Sequence, residues 1–125
     1  MSTHQSDFDL LARFVNQSTN YSKNSGHLKS GGLKLRTDEL GLSVYGILNL
    51  TSDDVYSLGN SLQTPPRRVH GYGEFIPDHF VNEGLNLDTT TGSRLHADVF
   101  GWPSGEEDRL EIANSLCLKS KLVLF

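Results

Sequence analysis

The chain has 125 residues, with 36% hydrophobic and 21% charged side chains, 15 acidic against 11 basic residues and a formal net charge of −4. This length and composition are typical of one globular domain and exclude an intrinsically disordered chain or a coiled coil. The acidic balance disfavours nucleic acid as a partner, because basic residues that neutralise phosphates supply most of the affinity of nucleic-acid binders.

Cysteine content and hydropathy predict a soluble cytoplasmic protein. Cys117 is the single cysteine, so no disulfide forms within the chain, as is typical of a reducing compartment. Residues 1–10 lack the basic start and apolar run of a secretory signal. No apolar run approaches the length of about 18 residues that marks a membrane helix, so we expect no membrane association.

The N-terminal quarter divides into two predicted segments. Apolar residues at i, i+3, i+4 and i+7 predict a helix over residues 6–16. These residues are Phe8, Leu11, Ala12 and Val15. Residues 16–32 are rich in Asn, Ser, Gly and Lys, which predicts a flexible polar loop. We therefore predict an N-terminal helix with a flexible loop over residues 1–31 and a globular domain over residues 32–125.

The remainder alternates between strand and helix patterns. Its first half predicts a short edge strand at Leu33 and Leu35, a strand over 42–50, a helix over 52–62 and a strand over 67–76. A helical turn from Pro77 to Asn82, a weak strand over 85–90 and a strand over 94–100 are predicted next. The chain ends with a predicted helix that stops near Lys119 and a final strand over 122–125. Thr51 is the predicted cap of the first of these helices, and Ser104 with Glu107 forms a predicted capping box for the last. No regular βαβ repeat is present. We predict a single-domain α+β fold, a mostly antiparallel sheet with helices packed on one face.

The sequence lacks the common signatures of catalysis and cofactor binding. It contains no Walker A sequence, no GxGxxG, no HExxH, no CxxC and no GxSxG, which removes the enzyme classes that these motifs identify. The sequence leaves open whether the protein binds a cofactor and whether it is an enzyme.

Two strands carry the strongest candidate site. Period-two alternation places His70, Tyr72 and Glu74 on one face of the strand over 67–76, and it places His96 and Asp98 on one face of the strand over 94–100. If the two strands are neighbours, their imidazoles and carboxylates converge, an arrangement suited to acid–base chemistry or to a divalent metal. The alternative is that these polar residues form the solvated face of an antiparallel sheet.

Three further residues are candidate ligand contacts. Arg67 and Arg68 form the only adjacent basic pair and are suited to holding an anionic group. Trp102 lies in the turn before the last helix, where it either covers the end of the core or contacts a ligand.

Three functional hypotheses follow. The first is a small non-catalytic interaction or accessory protein that pairs with itself or with a protein partner through its first helix and a sheet edge. The second is a small enzyme acting on a phosphate-bearing or nucleotide-like substrate. Its candidate catalytic residues are His70, His96, Glu74 and Asp98, and its candidate ligand contacts are Arg67, Arg68, Tyr72 and Trp102. The third is a metal-binding sensor that uses the same histidines.

Overall fold

The computed structural model describes residues 6–33 and 41–125. The strands in this part of the chain are β1 (Leu11–Val15), β2 (Tyr21–Ser22), β3 (His27–Leu28), β4 (Gly41–Gly46), β5 (Gly71–Phe75), β6 (Asn86–Asp88), β7 (His96–Phe100) and β8 (Lys121–Leu124). The α-helices are α1 (Ser52–Ser61), α2 (Pro77–Val81) and α3 (Glu106–Lys119). Short 3-10 turns cover Asp7–Asp9, Ser18–Asn20 and Ser30–Leu33.

The described strands build one large sheet and a small hairpin. The large sheet has six strands in the order β6-β7-β4-β1-β5-β8, and every neighbouring pair is antiparallel. β2 and β3 form the separate two-stranded hairpin. The α+β class and the antiparallel sheet predicted from the sequence are confirmed.

The sheet buries apolar side chains on both of its faces. The larger cluster includes Val44 and Val99 from the sheet together with Phe80 of α2 and Leu116 of α3. The smaller cluster lies on the opposite face and joins Ala12, Ile47 and Tyr72 to Val55 of α1. Two helices therefore cover one face, as predicted, whereas α1 lies on the other.

The predicted N-terminal helix is wrong, because residues 11–15 form a strand at the centre of the sheet. β1 pairs with β4 on one side and with β5 on the other. Leu11 and Val15 enter the larger cluster, and Ala12 enters the smaller one. A strand that is buried on both faces has apolar residues on both, and over a few residues that pattern is indistinguishable from helical spacing.

The polar segment over residues 16–32 packs against the body of the protein, contrary to the predicted flexible loop. Leu28 and Leu33 belong to the larger cluster. The main-chain nitrogen of Leu28 donates to the hydroxyl of Ser120 at 2.9 Å, and Nδ1 of His27 lies 2.7 Å from the main-chain oxygen of the same residue. Residues on both sides of the predicted boundary at residue 31 thus share one core.

The helix caps agree with the sequence in one case and differ in the other. Thr51 caps α1 as predicted: its hydroxyl accepts from the Asp54 nitrogen at 3.2 Å, and the Asp54 carboxylate accepts from the Thr51 nitrogen at 3.2 Å. α3 begins after Gly105, which makes no side-chain capping bond, so the predicted capping box at Ser104 is not formed. The predicted edge strand is not seen at Leu33, which ends a 3-10 turn, and Leu35 lies outside the described residues.

The longest helix of the described residues, α3, has 14 residues. None of the described helices is long and apolar enough to cross a membrane.

Candidate functional site

The predicted two-strand cluster is not assembled by the sheet. β5 and β7 are separated by β1 and β4, and three strand spacings of about 4.8 Å put them about 14 Å apart. His70 and Glu74 therefore do not meet His96 and Asp98. The order of the strands keeps the two groups of side chains apart, and this order cannot be read from the alternation of residues in the sequence.

The predicted site residues in and next to β5, namely His70, Tyr72 and Glu74, each have different neighbours. Nδ1 of His70 lies 3.0 Å from the Tyr21 hydroxyl at the hairpin. Tyr72 lies in the smaller core cluster, where burial, and to a lesser extent Glu74, raises the pKa of its phenol. Glu74 has Lys121 of β8 as its Cα partner across the strand pair.

Trp102 occupies the position expected of a core cover. Its Nε1 donates to the main-chain oxygen of Val99 at 2.9 Å, and its ring packs against the larger cluster. The indole is thus engaged by the protein itself, which agrees with the first of the two interpretations offered for it.

The residues predicted on the β7 side do come together, with two partners that sequence reasoning missed. Nε2 of His96 lies 3.4 Å from Oδ1 of Asp98 and 3.0 Å from the Ser43 hydroxyl on β4. Nδ1 of His96 lies 2.7 Å from the Thr91 hydroxyl. Ser43 lies within the predicted strand over 42–50, and no sequence motif singles it out.

The sheet opens between its two central strands beside this histidine. β1 and β4 are paired only at Leu11 with Gly46 and at Ala12 with Tyr45, whereas β1 and β5 are paired along all of β1. Beyond Ala12 the two strands part, and the side chain of Arg13 enters the opening. Its Nη1 donates to the main-chain oxygen of Ser43 at 2.9 Å, and its Nε donates to that of Gly32 at 2.9 Å.

A cleft of about 340 Å³ lies at this opening, within the size range of small-molecule sites. It lies between the parted strands, the 3-10 turn that precedes residue 34 and the segment that follows α1. Its lining residues are Arg13, Phe14, Val15, Asn16, Asn20, Gly31, Gly32, Ser43, Tyr45, Leu62, Gln63 and Arg67. Of the predicted ligand residues, Arg67 lines this cleft; Arg68, Tyr72 and Trp102 are not among the lining residues.

The wall after α1 is fixed by amide side chains. Nδ2 of Asn16 donates to Oε1 of Gln63 at 2.5 Å, and Nε2 of Gln63 donates to the main-chain oxygen of Gly59 at 3.2 Å. The following turn closes with the Arg67 nitrogen donating to the Thr64 oxygen at 3.1 Å. These bonds tie the end of β1 to the end of α1 and hold Arg67 at the cleft.

The described lining of the cleft is positively charged, although the chain as a whole is acidic. Among the lining residues in the described ranges, two are arginines and none is acidic. Tyr45 presents a phenol in this environment, and its pKa is raised mainly by burial, with Arg13 opposing the shift and Asp98 adding to it. The hydroxyl of Tyr45 is therefore a protonated hydrogen-bonding group at neutral pH.

Within residues 6–33 and 41–125, no group of three His, Cys, Asp or Glu side chains is placed to hold a metal ion. Comparison of the chain with protein families, with curated proteins and with solved structures finds no match.

Proposed function

We propose that the protein is a small binding module that holds a phosphate-bearing small molecule in the cleft between β1 and β4. The observation that carries this proposal is the position of Arg67, a cationic side chain at a cleft whose other described lining residues include no acid. A guanidinium matches the geometry of a phosphate group and stays charged throughout the physiological pH range.

The neutral groups of the lining support the same class of ligand. Asn16, Asn20 and Gln63 contribute side-chain amides, and Tyr45 contributes a hydroxyl. Such donors complete the hydrogen bonding of phosphate oxygens once the charge has been met. Arg13, in contrast, is part of the architecture of the cleft, because it donates to two main-chain oxygens of its walls.

The test is titration calorimetry at low ionic strength with phenyl phosphate, and with inorganic phosphate in parallel. The Arg67→Gln variant is expected to weaken binding about tenfold, since a charge-assisted hydrogen bond contributes about 1.5–3 kcal/mol and an exposed one less. Arg68→Gln is the matched control, because Arg68 is the adjacent exposed arginine and does not line the cleft. It is expected to leave the affinity unchanged.

Two results would overturn the proposal. One is the absence of binding heat with either phosphate compound. The other is an equal loss of affinity in the Arg67 and Arg68 variants, which would mean that general surface charge, and not the cleft, attracts the anion.

A further inference from the structure

We infer that Ser43 is a nucleophile, that His96 is its general base, and that this pair hydrolyses small carboxylic esters admitted to the cleft. The inference adds a reaction to the binding function proposed above. It depends on the contacts of Ser43 and His96 and not on the charge of Arg67.

The two reacting side chains are within hydrogen-bonding distance on neighbouring strands. β4 and β7 are paired so that Tyr45 lies opposite His96 and Ser43 lies opposite Asp98. Nε2 of His96 reaches diagonally to the Ser43 hydroxyl at 3.0 Å, a distance suited to proton transfer from a nucleophile to its base.

The contacts of Thr91 favour the tautomer of His96 in which Nδ1 carries the proton. The Thr91 hydroxyl lies 3.2 Å from the main-chain oxygen of His96 and 2.7 Å from Nδ1 of the same residue. A hydroxyl has one proton to donate, so both contacts are satisfied when that proton goes to the carbonyl and Nδ1–H donates to the threonine oxygen. In the opposite tautomer the hydroxyl proton goes to Nδ1, and two acceptor oxygens face each other without a proton. In the tautomer with the proton on Nδ1, Nε2 carries the free electron pair and accepts from the Ser43 hydroxyl.

A carboxylate also lies beside the imidazole. Oδ1 of Asp98 lies 3.4 Å from Nε2, and the side chains of His96 and Asp98 are 17% and 41% exposed. The nitrogen that receives the serine proton therefore has an anionic neighbour.

The residue that precedes His96 has an unusual main-chain conformation. Leu95 has φ +67, a left-handed conformation that residues other than glycine rarely adopt. Its carbonyl accepts from the Gly46 nitrogen at 2.7 Å, which fixes the start of β7 against β4. Strain of this kind persists where the surrounding structure determines it, and here it sets the position of the imidazole.

Ser43 is also one of the residues that line the cleft, so a substrate held there lies next to β4. In the proposed reaction the Ser43 oxygen attacks the ester carbonyl carbon while its proton passes to Nε2 of His96. The carbon–oxygen bond to the alcohol then breaks, and the alkoxide leaves with the proton from His96. Water then attacks the acyl carbon while its proton passes to the same nitrogen. The bond from this carbon to the Ser43 oxygen breaks, His96 returns the proton to that oxygen, and the carboxylic acid is released.

The test is the reaction of the purified protein with p-nitrophenyl acetate, followed by nitrophenol release and by peptide mass mapping. We expect an acetyl group on Ser43, loss of that modification in Ser43→Ala, and at least about a hundredfold slower acylation in His96→Gln, the range of general-base catalysis. Ser57→Ala removes another hydroxyl that does not line the cleft and is expected to react like the native chain.

Thr91 is a positioning residue and has its own test. Thr91→Ser keeps the hydroxyl and is expected to keep the acylation rate, whereas Thr91→Val is expected to lower it at least tenfold with an unchanged thermal midpoint. Acylation confined to lysines, or acylation of Ser43 at the native rate in His96→Gln, would overturn the inference. Phosphate binding is measured by calorimetry and acylation of Ser43 by peptide mass mapping, so failure of the phosphate site and failure of the serine chemistry are distinguishable.

Discussion

The guanidinium of Arg13 takes the place of a strand partner for Ser43. Its Nη1 donates to the Ser43 main-chain oxygen at 2.9 Å at the point where β1 and β4 have parted. The same guanidinium satisfies the main-chain oxygen of Gly32. One side chain thus closes a gap in the backbone hydrogen bonding and shapes one wall of the cleft.

Removal of this guanidinium should destabilise the protein. Arg13→Met keeps an apolar stem of similar length but leaves two partly buried carbonyl oxygens without these donors. The free energy of unfolding is expected to fall by about 2 kcal/mol, since an unsatisfied buried acceptor costs about 1–3 kcal/mol. Urea denaturation measures it, with the exposed Arg94→Met as control. Losses within about 0.5 kcal/mol of each other would contradict the role given to Arg13.

Gly73 is required where β5 passes beneath Leu28. A β-carbon at this position would come within clashing distance of Cγ and Cδ1 of Leu28. Gly73→Ala is expected to cost about 1–3 kcal/mol of unfolding free energy, the range of overpacked cores. At Gly41 the nearest atom to an added β-carbon is 3.5 Å away, so Gly41→Ala serves as the control. In a Leu28→Ala background the Gly73→Ala cost should shrink, and an unchanged cost would refute the clash.

Stability should depend on pH through His79. Nδ1 of this residue accepts from the Ile76 nitrogen at 3.1 Å, and its pKa lies below the usual 6.5 because of burial and then Lys119, with Asp78 opposing. The folded state therefore binds fewer protons than the unfolded chain as the pH falls through this range, so this contribution is present above about pH 6.5 and is lost below it.

His79→Gln keeps a side-chain acceptor and removes the titration. The urea midpoint of the native chain is expected to fall more between pH 7.5 and pH 5.5 than that of the variant. If both midpoints fall equally, the titration of His79 does not contribute.

Cys117 should be unreactive in the folded protein. Burial raises the pKa of its thiol to about 11, and the thiolate is the form that reacts. Alkylation by iodoacetamide at pH 8, followed by mass spectrometry, is expected to be at least tenfold slower in buffer than in urea. Equal rates would show that the thiol is accessible and ionised in the native state.

Local patterns predicted much of the secondary structure. The helical spacing and cap of α1, the alternation of β7 and the turn of α2 all agree with the structure, because each depends on residues close in sequence. β1 was missed because a short strand buried on both faces has no alternation to detect. The order of the strands depends on long-range pairing, which a single sequence does not display.

The site was predicted only in part for the same reason. Arg67 was selected for its charge, and His96 with Asp98 for alternation along one strand. The role of Arg13 arises from contacts with residues 19 and 30 positions away in sequence, and Ser43 meets His96 across 53 positions. The contacts of Arg13 depend on the parting of β1 from β4, and the contact of Ser43 with His96 depends on the pairing of β4 with β7. No local motif encodes either.

The most direct test of the central claim is amide chemical-shift mapping by NMR during titration with phenyl phosphate. We expect the largest saturable shifts at Asn16, Gly31, Gly32, Ser43 and Arg67. In Arg67→Gln these shifts should need about tenfold more ligand to reach half saturation, whereas in Arg68→Gln the titration should match that of the native chain. Shifts that are scattered over the surface, or centred on His70 and the β5 edge, would contradict the assignment of the ligand site to the cleft between β1 and β4.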